Sequence, residues 1–122
     1  MRLYCGQCTM QLTSTPLVDV AAKSVSWVEE QPLMRDDQIM DANGTDYQFD
    51  VEITHFVSTN CLQLVDHEDS HRLHGCCGPS MTDHYNQVCA KCKLEIGVLF
   101  ADCMWPHFTA INMKRLDTQP KW

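Results

Sequence analysis

Cys5-Gly6-Gln7-Cys8 and Cys89-Ala90-Lys91-Cys92 are the two stretches on which the reading of the fold turns. Each is a C-x-x-C pair, a spacing that lets one tight loop present two sulfur ligands to a single metal ion. A disulfide closed over the same two residues is strained and easily reduced. Two such pairs supply four thiolates, the full ligand set of a closed tetrahedral zinc site. One ion held by Cys5, Cys8, Cys89 and Cys92 would close a loop of roughly eighty residues and tie the two ends of a small domain together. Structural zinc binding contributes on the order of 10 kcal/mol in small peptides, so chelation is expected to threaten the fold. Thr9 and Lys93 follow the two pairs at the position where a knuckle commonly has glycine.

Outward from the knuckles the chain reads as β. Arg2-Leu3-Tyr4 leads into the first pair and Met10-Gln11-Leu12 leaves it, with Pro16 marking a turn. Residues 17–20 and 25–28 are rich in β-branched residues and predict strands. Residues 29–46 turn polar and hold Pro32 and the Asn43-Gly44 turn dipeptide, which predicts a loop or hairpin tip. Tyr47, Phe49, Val51, Ile53, His55 and Val57 then alternate with Gln48, Asp50, Glu52 and Thr54, the period of a half-buried strand. Residues 62–65 continue the pattern, and residues 75–80, Gly-Cys-Cys-Gly-Pro-Ser, predict a tight turn. Strands are expected on both sides of the second knuckle, over 84–88 and 94–100, with a last one around Phe108, Ala110 and Ile111. No helical period and no internal repeat appear. The expected fold is mostly β, a zinc-ribbon or β-tent-like small domain over residues 1–116 with a C-terminal tail at 117–122.

The chain has 122 residues, 44% of them hydrophobic and 8% aromatic, enough for one domain with a modest core. Its formal net charge is −7; four thiolates around one Zn²⁺ would take it to −9. Such a surface repels phosphate backbones, so a nucleic-acid partner is not expected, and Lys91, Lys93, Lys114 and Arg115 read as solvated cations. No stretch approaches the roughly 18 apolar residues needed to span a bilayer, and no basic-then-apolar leader opens the chain. A cytoplasmic location is expected, where eight cysteines favour metal over disulfides.

Cys76, Cys77, Cys103 and His107 are candidates for a second zinc, with His71 and His74 as substitutes. An alternative grouping is equally legible: Cys89, Cys92, Cys103 and His107 as one local set, and Cys5 and Cys8 with Cys76 and Cys77 as the other. Adjacent cysteines seldom both bind one zinc, which leaves one of Cys76 and Cys77 as a packed thiol. Cys61 reads as core, His67, His71, His74 and His84 as solvated, and Trp27 and Trp105 as packing residues.

Arg72-Leu73-His74-Gly75-Cys76-Cys77-Gly78, followed by Asn86, Cys89, Cys92 and Asp102-Cys103-Met104-Trp105-Pro106-His107, resembles a family of small, uncharacterised bacterial zinc-binding proteins that also begin with a C-x-x-C pair. The resemblance covers both ends of the chain and implies bound zinc. More distantly, two knuckles separated by a long β segment, with Gly97 shortly after the second, are similar to the Yippee and cereblon-type β-tent domains. In those, two knuckles pin two sheets around one zinc. Val98 stands where a tryptophan usually follows the corresponding glycine.

Two functions follow from these readings. The first is a non-enzymatic zinc scaffold whose acidic loops, residues 29–46 or 66–71, meet a protein or small-molecule partner. The alternative is a zinc enzyme with Cys77, Cys103 and His107 as ligands around an open position, and Glu68 or Asp102 as base. The deaminase signature is missing, because His67 and Glu68 are adjacent and Val88 precedes Cys89. A redox role for Cys5-Gly-Gln-Cys8 lacks the following helix that lowers a thiol's pKa.

Overall fold

The structure, a computed structural model, describes residues 1–43, 45, 47–75, 78–102 and 105–119. Nine strands run through the described residues: β1 (Tyr4–Cys5), β2 (Val18–Val20), β3 (Gln38–Asp41), β4 (His55–Val57), β5 (Leu64–Asp66), β6 (Gln87–Cys89), β7 (Glu95–Phe100), β8 (Phe108–Ile111) and β9 (Leu116–Asp117). Short 3-10 turns at Ala22–Ser24, Ser70–Leu73 and Met113–Arg115 are the helical elements among them. The domain is therefore mostly β, and its two C-x-x-C knuckles are placed as in a zinc-ribbon or β-tent-like domain. No helix among the described residues is long and apolar enough to cross a membrane.

Seven strands form one sheet in the order β2-β3-β4-β8-β7-β6-β5, antiparallel except for the parallel β2–β3 pair, and β1 pairs with β9 apart from it. The pairing of Tyr4 with Asp117 and of Cys5 with Leu116 places the first residue of the expected tail in a strand. Neighbouring residues of the central strands face opposite sides, and both sides are buried. Met40, Phe56, Ala110 and Val98 lie in one cross-strand row and belong to one apolar cluster. Ile39, Val57 and Ile111 belong to the other cluster, with Leu3, Leu12, Leu116, Cys5 and Cys89. Phe56 and Val57 are adjacent and both fully buried, which requires apolar cover on each side of the sheet.

A bulge in β7 joins this sheet to the second knuckle. Gln87 pairs with Gly97 but Val88 with Glu95, so Ile96 is the extra residue. The insertion reverses its facing, and Ile96 packs into the cluster around the cysteines while Val98 and Phe100 pack into the other. Gly97 sits at the crossing: a Cβ there would lie 2.6 Å from the Ala110 carbonyl oxygen.

Three expectations are corrected. Residues 29–46 are not simply a loop, because Gln38-Ile39-Met40-Asp41 is an interior strand of the sheet, between β2 and β4. Its four residues are hidden in a polar window, and Ile39 and Met40 are enough to bury both faces. Conversely, the period-two run holds a ladder only at His55–Val57. Tyr47, Phe49, Val51 and Ile53 do turn inward, packing against the second cluster. The segment is instead anchored by tertiary bonds: the Asp50 N–H donates to Thr82 O at 2.9 Å and the Tyr85 hydroxyl to Glu52 O at 2.7 Å. Residues 25–28, expected as strand, carry none; β2 and the Ala22–Ser24 turn precede them.

Candidate metal centre

Each knuckle opens on the last residue of a short strand, β1 for Cys5 and β6 for Cys89, and the two loops are built alike. The Cys5 N–H donates to Met10 O at 2.9 Å and the Thr9 N–H to Cys5 O at 3.0 Å. In the second loop the Cys89 N–H donates to Leu94 O at 2.9 Å and the Lys93 N–H to Cys89 O at 3.0 Å. Thr9 and Lys93 adopt φ of 65° and 66°, the left-handed region where glycine is usual. The residue types depart from the common knuckle, but the backbone does not. The Thr9 hydroxyl donates to Cys8 O at 2.6 Å, a local bond that helps hold the turn.

The first knuckle is pressed onto the C-terminal segment. The Gly6 N–H donates to Arg115 O at 2.9 Å, and a Cβ on Gly6 would lie 2.5 Å from the same oxygen. Arg115 in turn donates from Nη1 to Glu95 O at 2.8 Å, at the bulge of β7. The N-terminal loop, the C-terminal strand and the second knuckle are thereby locked into one arrangement.

That arrangement brings Cys5, Cys8, Cys89 and Cys92 together, with all four Sγ atoms within 4.8 Å of one another. Cys5 Sγ lies 3.5 Å from Cys92 Sγ and Cys8 Sγ lies 3.7 Å from Cys89 Sγ. These separations are far longer than an S–S bond of about 2.05 Å. They match the edge of a tetrahedron with metal–sulfur bonds of about 2.3 Å, roughly 3.8 Å. Four soft sulfur donors in this geometry fit a tetrahedral metal with no position left for water. Cys5 and Cys89 are fully buried and Cys8 and Cys92 half-buried.

Burial pushes the Cys5 thiol up to about 12, partly offset by backbone N–H groups of its own loop. Cys89 is also raised, first by burial. For Cys92, burial again acts upward, but hydrogen bonds from the Leu94 backbone and the neighbouring thiols outweigh it and bring it down to about 7. Metal ligation would require these sulfurs as thiolates.

Cys76, Cys77 and Cys103 lie outside the described residues. The His107 ring nitrogen Nε2 is 3.2 Å from Asp102 O, and its backbone is bonded to Gln31 and Leu33. His71 and His74 are exposed, their rings 5.8 Å apart. Among the described residues, the four cysteines are the one group of His, Cys, Asp and Glu close enough to hold a metal. Of the bases considered, Glu68 is exposed, whereas Asp102 is buried and accepts from the Ser80 hydroxyl at 2.9 Å. Cys61 is buried, as expected of a core thiol.

His67, expected to be solvated, is packed into a polar network. Its Nδ1 accepts from the Asp69 N–H at 2.9 Å, which leaves Nε2 to carry the proton and face Glu95 Oε2 at 3.1 Å. Arg72 bonds the same Glu95 carboxylate and donates to Tyr85 O. The acidic loops are likewise engaged: Asp36 accepts from the Ser58 hydroxyl at 2.6 Å, Asp37 pairs with Arg35, and Asp69 caps its 3-10 turn. Among the cations, Lys114 pairs with Glu52 and Arg115 lies 4.6 Å above the Tyr85 ring. Trp27 and Trp105, read as packing residues, are 42% and 43% exposed, and no local signal distinguishes an exposed tryptophan from a buried one.

No family model, no curated protein and no solved structure matches this chain.

Proposed function

We propose that the protein is a zinc-stabilised β scaffold with a non-enzymatic recognition role. One observation carries the metal assignment: four sulfurs from two C-x-x-C loops, 81 to 87 residues apart in sequence, converge with tetrahedral spacing. Zn²⁺ is the ion favoured by four thiolates, being redox-inert and free of geometric demands beyond the tetrahedron. When bound, it supplies charge neutralisation and a covalent-strength clip between the knuckles. Cys5, Cys8, Cys89 and Cys92 would be its ligands, and Gly6, Arg115 and the β7 bulge hold those ligands in place.

The recognition role rests on the closure of this site. A centre of four protein ligands leaves no open coordination position, which is the structural rather than the catalytic pattern. Reduced thiolates of this kind also suit a cytoplasmic setting, and a net charge of −7 argues against a nucleic-acid partner. The same reading assigns the chain to the small bacterial zinc-binding proteins that it resembles.

Cobalt substitution tests the proposal. Co²⁺ in a closed four-thiolate site should give strong sulfur-to-metal charge-transfer and d–d absorption that azide and cyanide leave unchanged. A spectrum that shifts on adding either anion would mean an open position and would turn the reading toward a hydrolytic enzyme.

A further inference from the structure

The face of the sheet opposite the cysteines holds a cleft of ≈690 Å³ whose walls include Trp27, Tyr47, Phe100 and Trp105. We infer that this cleft binds a methylated or quaternary ammonium group, held against the aromatic faces and balanced by the Glu29 carboxylate. The inference goes beyond the metal reading and does not depend on which ion fills the knuckles.

Four separate segments build the walls. Tyr47 is the common contact: its ring lies 6.0 Å from Trp27, 5.6 Å from Trp105 and 5.7 Å from Phe100. Phe100 meets Tyr47 at 83° and Trp105 at 86°, while Trp27 stacks on Tyr47 at 26°, so Phe100 stands across the planes of the other rings. Hydrogen bonds tie down both segments that carry the tryptophans. Trp27 Nε1 donates to Ala22 O at 2.8 Å, which spends its polar edge, and with one face on Tyr47 the other is left for a ligand. The Trp105 carbonyl accepts from the Glu30 N–H at 3.0 Å, and Glu30 takes a φ of 63°. This bond brings the turn that carries Glu29 beside Trp105. Pre-positioned rings lose little freedom on binding.

Charge and hydrogen bonding choose the ligand class. Glu29 is the one charged side chain among the described residues that line the cleft, and the whole chain carries −7. Both favour a cation, and an ammonium over aromatic faces is attracted by the ring quadrupole. The Ser80 hydroxyl donates to Asp102 and the Thr45 hydroxyl to Ala42 O, which leaves Gln48 and Thr82 as the neutral polar side chains of the wall with groups to offer a sugar, the competing ligand class. A bulky methylated ammonium needs few hydrogen bonds and fits a wall of this kind.

The test is titration of the metal-loaded protein with choline, followed by tryptophan emission and by the indole N–H resonances. The neutral isostere 3,3-dimethylbutan-1-ol serves as the control. Saturable perturbation of the Trp27 and Trp105 indoles by choline, with the isostere at least about tenfold weaker, is expected from a cation–π site. Trp105→Ala should weaken choline about tenfold or more, and Glu29→Gln, which leaves every ring in place, several-fold. A trimethyllysine peptide run in parallel separates the sources: tighter binding than choline points to a protein side chain, weaker binding to a free amine. Equal binding of choline and its isostere, or no saturable change in either indole, would overturn the inference.

Discussion

Thr9 and Lys93 hold left-handed backbone at equivalent points of two loops that share no other residue but their cysteines. For a residue with a Cβ this conformation costs about 1–2 kcal/mol, while glycine carries a larger unfolded-state entropy of about 0.5–1 kcal/mol. Lys93→Gly should therefore stabilise the metal-bound protein by about 0.5–1 kcal/mol, read from urea midpoints at unchanged m-value. Replacement of any one of Cys5, Cys8, Cys89 or Cys92 by serine should have the opposite effect, sharply reducing zinc stoichiometry in native mass spectrometry. Cys61 makes a different prediction. Burial, reinforced by the Asp36 carboxylate, pushes its thiol up to about 12 from 9.0. A folded state that holds the proton more tightly than the unfolded chain is stabilised below pH 9, and that contribution disappears as pH rises toward 12. Denaturation series across this range should show a shallower alkaline loss for Cys61→Ala than for the wild type. The convergence of the four cysteines was legible in the sequence because C-x-x-C is a local signal. The Thr9 and Lys93 conformations were legible only as a residue missing from its usual place.

At the scale of elements, the β7 bulge is what places a long sheet and the second C-x-x-C loop in register. Ile96 turns toward the cysteines and Val98 away because one residue is inserted opposite β6. Gly97→Ala would push a methyl to 2.6 Å from the Ala110 carbonyl. Separation of β7 from β8 at that point should destabilise the domain by about 1–3 kcal/mol, measurable by thermal unfolding. Strands with their own composition signal, β7 and β8, could be read in advance. β3 could not, since four residues among polar neighbours carry too little pattern and its burial is imposed by β2 and β4. The run from Tyr47 to Ile53 failed in the opposite way: inward and outward residues alternate as expected, but the chain packs as an arm rather than pairing as a strand. Period two reports which side chains are buried, not whether a ladder forms. The Trp27, Tyr47, Phe100 and Trp105 cleft was illegible for a related reason, as its walls meet only after the turn at 28–31 bonds to Trp105.

For the whole molecule, the two cores on either side of the sheet are modest, and the proposed metal clip would add to the Gly6–Arg115–Glu95 bonds a tie between the first residues and the second knuckle. The stability of a small domain is about 5–15 kcal/mol, and structural zinc contributes on the order of 10 kcal/mol. Removal of the ion should therefore cost most of the fold. Treatment with a strong chelator under reducing conditions is expected to abolish the cooperative thermal transition, and zinc addition to restore it. A chelated protein that kept a two-state transition at the original midpoint would place the stability in the apolar clusters instead.

The most direct test of the account is zinc-edge X-ray absorption on protein purified without added metal. The four-cysteine centre predicts a zinc with four sulfur neighbours at about 2.3 Å and no nitrogen or oxygen bound to it. A mixed sulfur and nitrogen or oxygen shell for that single zinc, or metal-free protein with Cys5, Cys8, Cys89 and Cys92 in disulfides, would contradict it.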